Sequence, residues 1–535
     1  MTKFNLRKKT IMTKKPSIEA PGIDLVEMTV ERAVNGMAAG EFTSEQLTAA
    51  FLDRIKLFNP LYNAIIFLNP QAMEDARQMD EKRSRGEPLP ALAGIPIVVK
   101  DTMDMIGFPT TGGWRLLHSE SGGIDLMPDT DSPVVARMRK AGCIILGKTN
   151  VPVLSATGSH ANDSWAGPTL NAVDTMLLPG GSSAGTATAV ATSMAVLGLA
   201  EETGGSIQNP ASAQGLVGLK PTFGLVPNTG VMPLAGSTRD VVGPIARCVR
   251  DAALVLDAIA GYCTEDPKTV AGIGNRPADG YAASLKPDII KGARLGLYGP
   301  GWRRRELSAE TEIHYDRLQA ELTSLGAVLV KDPFAGSGFA DIGQPVPGLD
   351  HYDARGMECV PYDMMNYLRR LGSGNPFASY ADFAAAVGSE DPFGPDGVLS
   401  FMAQLPDLVA CLNDPSTPPA MEDFLAARER YLAIFSAVMH AHRLDALVFP
   451  QMRAPLPRRE GPETIHETTV CEINIAGLPA LTVPAGYYEG GAPFNLVLVG
   501  SLWSEARLLS LAAGYEQATH HRATPTLDVC GEQSR

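Results

Sequence analysis

The chain has little that would commit it to a metal, a membrane or a nucleic acid. Its seven cysteines, at 143, 248, 263, 359, 411, 471 and 530, form no C-x-x-C pair and no zinc-ligand spacing. A disulfide framework is excluded as the organising principle, and a reducing, cytoplasmic setting is the simpler expectation. Long apolar runs are missing too: the longest weakly polar stretch, 187–200, carries Thr188, Thr192 and Ser193 and falls short of a membrane span. The basic N-terminus MTKFNLRKKTIMTKKPSIEAP has no apolar segment after its charges, so it fails as a secretory signal. It reads as a solvated tail over 1–22, with Met12 as a second candidate start. Positive charge is in the minority, 45 Lys and Arg against 59 Asp and Glu, for a net charge of −14. That balance argues against nucleic acid as the main partner, because phosphate-backbone binding rests on a clustered basic surface.

What is present is the composition of a large globular enzyme. Hydrophobic residues make up 45% and charged residues 19%, which leaves ample material for a core. From Ile23 to Asn59 the apolar spacing is helical, with a break at Gly40 and Thr43. Ala93–Lys100 (AGIPIVVK) suits a buried strand with a lysine at its end. Ser132-Pro133 starts a helix, Gly142 stops it, and Cys143–Leu146 is the strand that follows. Leu295–Tyr298, Ser308–Leu322 and Ala327–Val330 predict a second β-α-β unit, and Ala446–Phe449 and Ala480–Val483 two more buried strands. An α/β fold with one large central sheet accounts for all of them. Between about 334 and 419, glycine and proline are frequent and periodicity weakens, as expected of loops and helices elaborated over a pocket.

The most distinctive stretch, Pro179–Ser212, contains Gly-Gly-Ser twice, at Gly180-Gly181-Ser182 and Gly204-Gly205-Ser206. Doubled glycines before a hydroxyl suit loops that need positive φ or close approach, so the two loops read as two walls of one pocket. A Walker phosphate loop is ruled out, because PGGSSAGTAT lacks the required lysine. Gly181-Ser182-Ser183-Ala184-Gly185 fits G-x-S-x-G, with Ser183 as a nucleophile on a sharp turn, but no convincing strand precedes it. Glu201 and Glu202 are adjacent, and neighbours on an extended segment point to opposite faces, which defeats a paired-carboxylate reading. His440 and His442 lie two apart in a helical pattern and cannot chelate, and His520-His521 reads as surface. No histidine lies between His160 and His314. A base for these serines need not be histidine, since a lysine serves when burial leaves it neutral. Lys100, Lys148 and Lys220 all end or follow apolar runs, and chemistry alone does not choose among them.

The chain resembles the amidase signature hydrolases. The matching pieces are AGIPIVVKD (93–101), VVARMRKAGCIILGKTN (134–150), PGGSSAG (179–185), ETGGSIQNPAS (202–212), GLVGLKPTFGLVP (215–227) and GPIARCVRDAALVLDAIAG (243–261), with weaker matches in NIAGLPALTVPAG (474–486) and near 512–519. The resemblance spans about 24 to 525 and implies a single α/β/α domain over 23–525 with a mixed, twisted sheet. Its signature core lies at about 93–261, its variable substrate side at about 334–419, and a short tail follows at 526–535. It also implies a Ser-cisSer-Lys triad without cofactor or metal: Ser206 as nucleophile, Ser182 as the bridging serine after a cis peptide bond, and Lys100 as general base. Lys148 and Lys220 then fall back to structural roles. The backbone N–H groups of Thr203, Gly204, Gly205 and Ser206 are expected to form the oxyanion hole. Three departures from the common pattern, Glu202 for aspartate, Ser183-Ala184-Gly185, and Gln208 for arginine, leave the triad intact.

These residues imply hydrolysis of a C–N bond in a small-molecule amide, with carbamates, anilides and esters as neighbouring substrates. Gln208 and Asn209 are expected to bind substrate through amide dipoles where an arginine would supply a cation, which favours neutral acyl groups over anionic ones. One rival is the glutaminase-type subunit of a tRNA-dependent amidotransferase, which would need a partner subunit. Another is an inactive scaffold of the same fold. The oligomeric state, including a homo-oligomer, is left open.

Overall fold

The computed structural model describes residues 22–346, 349 and 352–529. Residues 1–21 of the expected N-terminal tail and 530–535 of the C-terminal tail lie outside the described residues. Eleven described strands form one sheet: β1 Ile65–Leu68, β2 Pro96–Lys100, β3 Ile144–Thr149, β4 Leu197–Glu202, β5 Val217–Lys220, β6 Val241–Ala246, β7 Arg294–Leu297, β8 Val328–Val330, β9 Ala446–Pro450, β10 Ala480–Tyr487 and β11 Pro493–Val499. Their order is β1-β3-β2-β4-β6-β5-β10-β11-β9-β7-β8. The pairs β3/β2, β2/β4, β7/β8 and β7/β9 are parallel and the others antiparallel, so the sheet is mixed.

The parallel trio β3-β2-β4 sits where the chemistry is concentrated. Strands buried on both faces read as continuous apolar runs, and every residue of β2, β3 and β4 is buried. In parallel sheets, groups at the carboxyl ends of neighbouring strands converge on one edge of the sheet. Val99 pairs with Leu199, so the ends of β2 and β4 bring Lys100 and Glu201 together.

The leading helical segment divides as its pattern requires, into Val30–Ala38 and Ser44–Tyr62 on either side of Gly40. Thr43 starts the second helix through a capping box: its hydroxyl accepts from the Gln46 N–H while the Gln46 side chain accepts from the Thr43 N–H. Ser132 caps the helix Pro133–Lys140 that leads into β3. The run 187–200, which has no helical or strand period of its own, splits into the end of a helix, Ala184–Ala191, and the start of β4. Small residues explain the split, because Ala, Gly and Thr pack closely in either state.

A separate cluster of buried side chains builds the lobe beside the sheet, joining Trp114, Leu117 and Met232 to Met357, Tyr367, Phe383 and Met402. The stretch between about 334 and 419 therefore has a core shared with the signature region. The C-terminal boundary also moves. Leu527 packs against the main core and the Asp528 N–H donates to the Tyr62 hydroxyl at 3.0 Å, so the body of the protein extends beyond residue 525.

Candidate active site

Lys100 ends β2 with its side chain fully buried. Its Nζ lies 2.7 Å from the Ser182 hydroxyl, 3.1 Å from the Glu201 carbonyl and 2.8 Å from Glu201 Oε2. Ser182 follows a cis peptide bond from Gly181 and precedes the helix that begins at Ala184. The other two lysines are occupied elsewhere. Lys148, in β3, pairs with Asp101 at 2.8 Å and donates to the Pro109 carbonyl at 2.7 Å. Lys220 donates to the Leu478 carbonyl at 2.7 Å, and burial lowers its pKa to about 8. Of the three, Lys100 is the one in contact with a serine.

Ser206 stands on the wall of a cavity of about 430 Å³, which Thr203, Gly204 and Asn209 also line. Gly205 beside it has φ +95°, and a Cβ there would stand 2.6 Å from Glu467 Oε2. A Cβ on Gly204 would stand 2.9 Å from the Tyr352 hydroxyl. The second glycine pair thus exists because two side chains from distant parts of the chain press onto this loop. Among the described residues, the N–H groups of Thr203, Gly204, Gly205 and Ser206 donate to no backbone carbonyl.

The structure corrects two sequence expectations. Gln208 does not reach the cavity: it is fully buried, its Nε2 donates to Glu202 Oε1 at 2.8 Å, and its N–H donates to Glu202 Oε2 at 3.2 Å. The short helix after Ser206 turns it inward, while Asn209, one residue on, lines the cavity. Ser183 is also buried, with its hydroxyl donating to the Glu201 carbonyl at 3.2 Å, so the sharp-turn nucleophile reading has no accessible oxygen.

The adjacent glutamates divide as strand geometry requires. Glu202 faces the loop after Ser206, accepting from the Ile207 N–H at 2.9 Å and from Asn474 Nδ2 at 3.0 Å. Glu201 faces Lys100 and Thr203.

Much of the cavity wall carries no sequence signal. Leu234, Met357, Val398, Phe401 and Ile465 make it apolar, and Tyr352 closes it over Gly204. Its charged groups are held in place. Arg303 pairs with both oxygens of Glu472, at 2.7 and 2.9 Å, and donates to the Glu467 carbonyl. Glu467 accepts from Gln451 Nε2 at 3.1 Å, and burial raises its carboxyl well above the usual range. These residues come from segments between 234 and 472, and only folding makes them neighbours.

The structure thus has a buried hydroxyl–lysine pair at the carboxyl end of β2 and a second serine on the wall of an apolar cavity. The family model for amidases matches residues 46–337. The chain is 33% identical over 523 residues to a glutamyl-tRNA(Gln) amidotransferase subunit from Moorella thermoacetica, covering 95% of this chain and 100% of that protein. Native peptide amidase from Stenotrophomonas maltophilia has a crystal structure that is 32% identical with a TM-score of 0.75, over 94% of this chain and 99% of that one. A bacterial aryl acylamidase, at 23% identity and a TM-score of 0.73 over 92% and 96% of the two chains, shares the fold. The chain belongs to the amidase signature family, whose members act on C–N bonds of amides.

Proposed function

We propose that this protein is an amidase that hydrolyses the C–N bond of a neutral carboxylic amide through an acyl-enzyme on Ser206. The observation that carries the reading is the 2.7 Å contact between Lys100 Nζ and the Ser182 hydroxyl, next to a cavity that holds Ser206. Neutral Lys100 takes a proton through Ser182 as Ser206 adds to the carbonyl, and the N–H groups of residues 203–206 hold the oxyanion. The relay returns that proton to the departing amine, and water then cleaves the acyl-enzyme. Carbamates, anilides and esters present the same carbonyl and fall within the same chemistry.

Ser206→Ala is expected to reduce turnover by about 10⁶-fold and to abolish covalent labelling by a fluorophosphonate probe, because it removes the attacking oxygen. Labelling that persists in this variant would overturn the assignment. Lys100→Ala should slow acylation by about 10²–10⁴-fold, the usual worth of a general base.

A second reading is favoured by the relatives named as amidotransferase subunits, 33% identical over nearly the whole chain in the Moorella thermoacetica protein. Under it, the same site would release ammonia from glutamine for a partner subunit. Glutamine hydrolysis that is weak alone and rises on adding partner subunits would support this reading, whereas efficient hydrolysis of simple amides by the isolated chain would support the first.

A further inference from the structure

Glu201 is a fully buried carboxylate in direct contact with the lysine that the proposed mechanism needs in its neutral form. An ammonium beside a carboxylate in a dry interior keeps its proton, so an ionised pair opposes the base. The surroundings of Glu201 resolve the conflict. The Thr203 hydroxyl lies 3.1 Å from Glu201 Oε1 and 2.5 Å from Asp240 Oδ1. One hydroxyl has one proton and can donate to only one of them. The second contact closes only if the other carboxyl carries a proton and donates to Thr203.

We propose that Glu201 governs the charge of Lys100: with Thr203 and Asp240 it forms a carboxyl–hydroxyl–carboxyl chain holding one proton more than two carboxylates would, and its carboxylate takes up the proton that Lys100 sheds to become a base. At rest Asp240 is the acid, donating to Thr203, which donates to Glu201, which faces the Lys100 ammonium. On activation an N–H bond of Lys100 breaks and an O–H bond forms at Glu201 Oε2, 2.8 Å away. No net charge changes, because a cation and an anion become two neutral groups, and the chain returns the proton when the cycle closes.

Other groups around the chain are consistent with this account. The N–H groups of Leu234 and Ala235 donate to Asp240 and favour its anion, but burial first, then the charge of Glu201, outweighs them and pushes its pKa up to about 7. Beside Lys100, the Asp101–Lys148 pair is internally neutralised. Glu202 faces the opposite side of the strand. On the Asp240 side, Arg239 donates to the carbonyls of Asp353 and Arg355, and the Cys359 thiol is held neutral by burial.

This inference rests on Lys100 and Ser206 acting as proposed above, and the test separates the two. The pH dependence of acylation is measured with a fluorophosphonate probe on wild type, Glu201→Gln and Asp240→Asn, with Ser206→Ala as control. Glu201→Gln removes the acceptor of the Lys100 proton, so Lys100 becomes neutral only by releasing it to solvent, and the ascending limb should move about 1–3 pH units toward alkali. Asp240→Asn keeps a donor toward Thr203 and mimics the protonated acid, so it should move the limb far less. A Glu201→Gln profile that superimposes on wild type overturns the role of Glu201. An alkaline shift for Asp240→Asn as large as that for Glu201→Gln overturns the extra proton. Labelling of Ser206→Ala would overturn the functional reading itself. Glu201→Thr reads the same limb if the glutamine variant fails to fold, since it too lacks the charge.

Discussion

At Gly205 one atom's worth of space decides whether the loop leading to Ser206 can form. Its φ of +95° and the 2.6 Å separation from Glu467 Oε2 leave no room for a methyl group. Gly205→Ala is expected to lower kcat/KM by about 10²-fold, since a displacement near 1 Å at the reacting centre costs that much. Steady-state kinetics checks this, with a thermal melt showing that the fold persists. The sequence displays the doubled glycine, and its need for close approach is legible there. That Glu467 and Tyr352 are the groups approaching is not, because both lie more than 100 residues away. Gln208 shows the same limit: its position after Ser206 suggests contact with substrate, yet the turn of one short helix aims it at Glu202 and leaves Asn209 on the cavity.

Among the elements, a second buried ion pair joins Asp101, directly after β2, to Lys148 in β3, with both side chains fully enclosed. Burial raises the Asp101 carboxyl while Lys148 pulls it the other way. Removing one partner leaves the other charge buried without compensation. Lys148→Met should therefore cost about 3–5 kcal/mol of stability, read as a lower midpoint in chemical denaturation. The Val/Ile-rich runs of β2 and β3 are plain in the sequence, as is the serine-capped helix between them. β4 is hidden, because LGLAEE lacks both the branched residues and the alternation that mark a strand, and its burial comes from β2 and β6 on either side. β5, β6 and β11 are likewise not predicted from the sequence, although β11 pairs with its hairpin neighbour β10 and β5 with β6.

The molecule as a whole carries a net charge of −14 and an apolar cavity. Arg303, the guanidinium on the cavity wall, is already committed to Glu472, so an anionic substrate meets no free clamp from it. Long-range repulsion adds to this at low salt and is screened beyond about 8 Å at physiological ionic strength. A neutral amide should thus show a higher kcat/KM than its ω-carboxylated analogue, with the gap narrowing as salt rises. A carboxylated analogue that reacts faster at both low and high salt would defeat this expectation.

By itself the sequence determined the α/β class, the ordered motifs from Ala93 to Gly261, and the identity of two glycine-flanked serines, because those features rest on local periodicity, turn chemistry and residue type. From chemistry alone Lys100, Lys148 and Lys220 are equivalent, each ending or following an apolar run, and it is the family resemblance that singles out Lys100. Only the tertiary structure decided the partners: the pairing of β2 with β4 puts Lys100 against Glu201, the turn before the helix Ala184–Ala191 brings Ser182 to it, and Asp101 and the Leu478 carbonyl occupy the other two lysines. The physical reason is that a buried ammonium takes its character from the groups within hydrogen-bonding distance, and strand register, not sequence proximity, selects those groups.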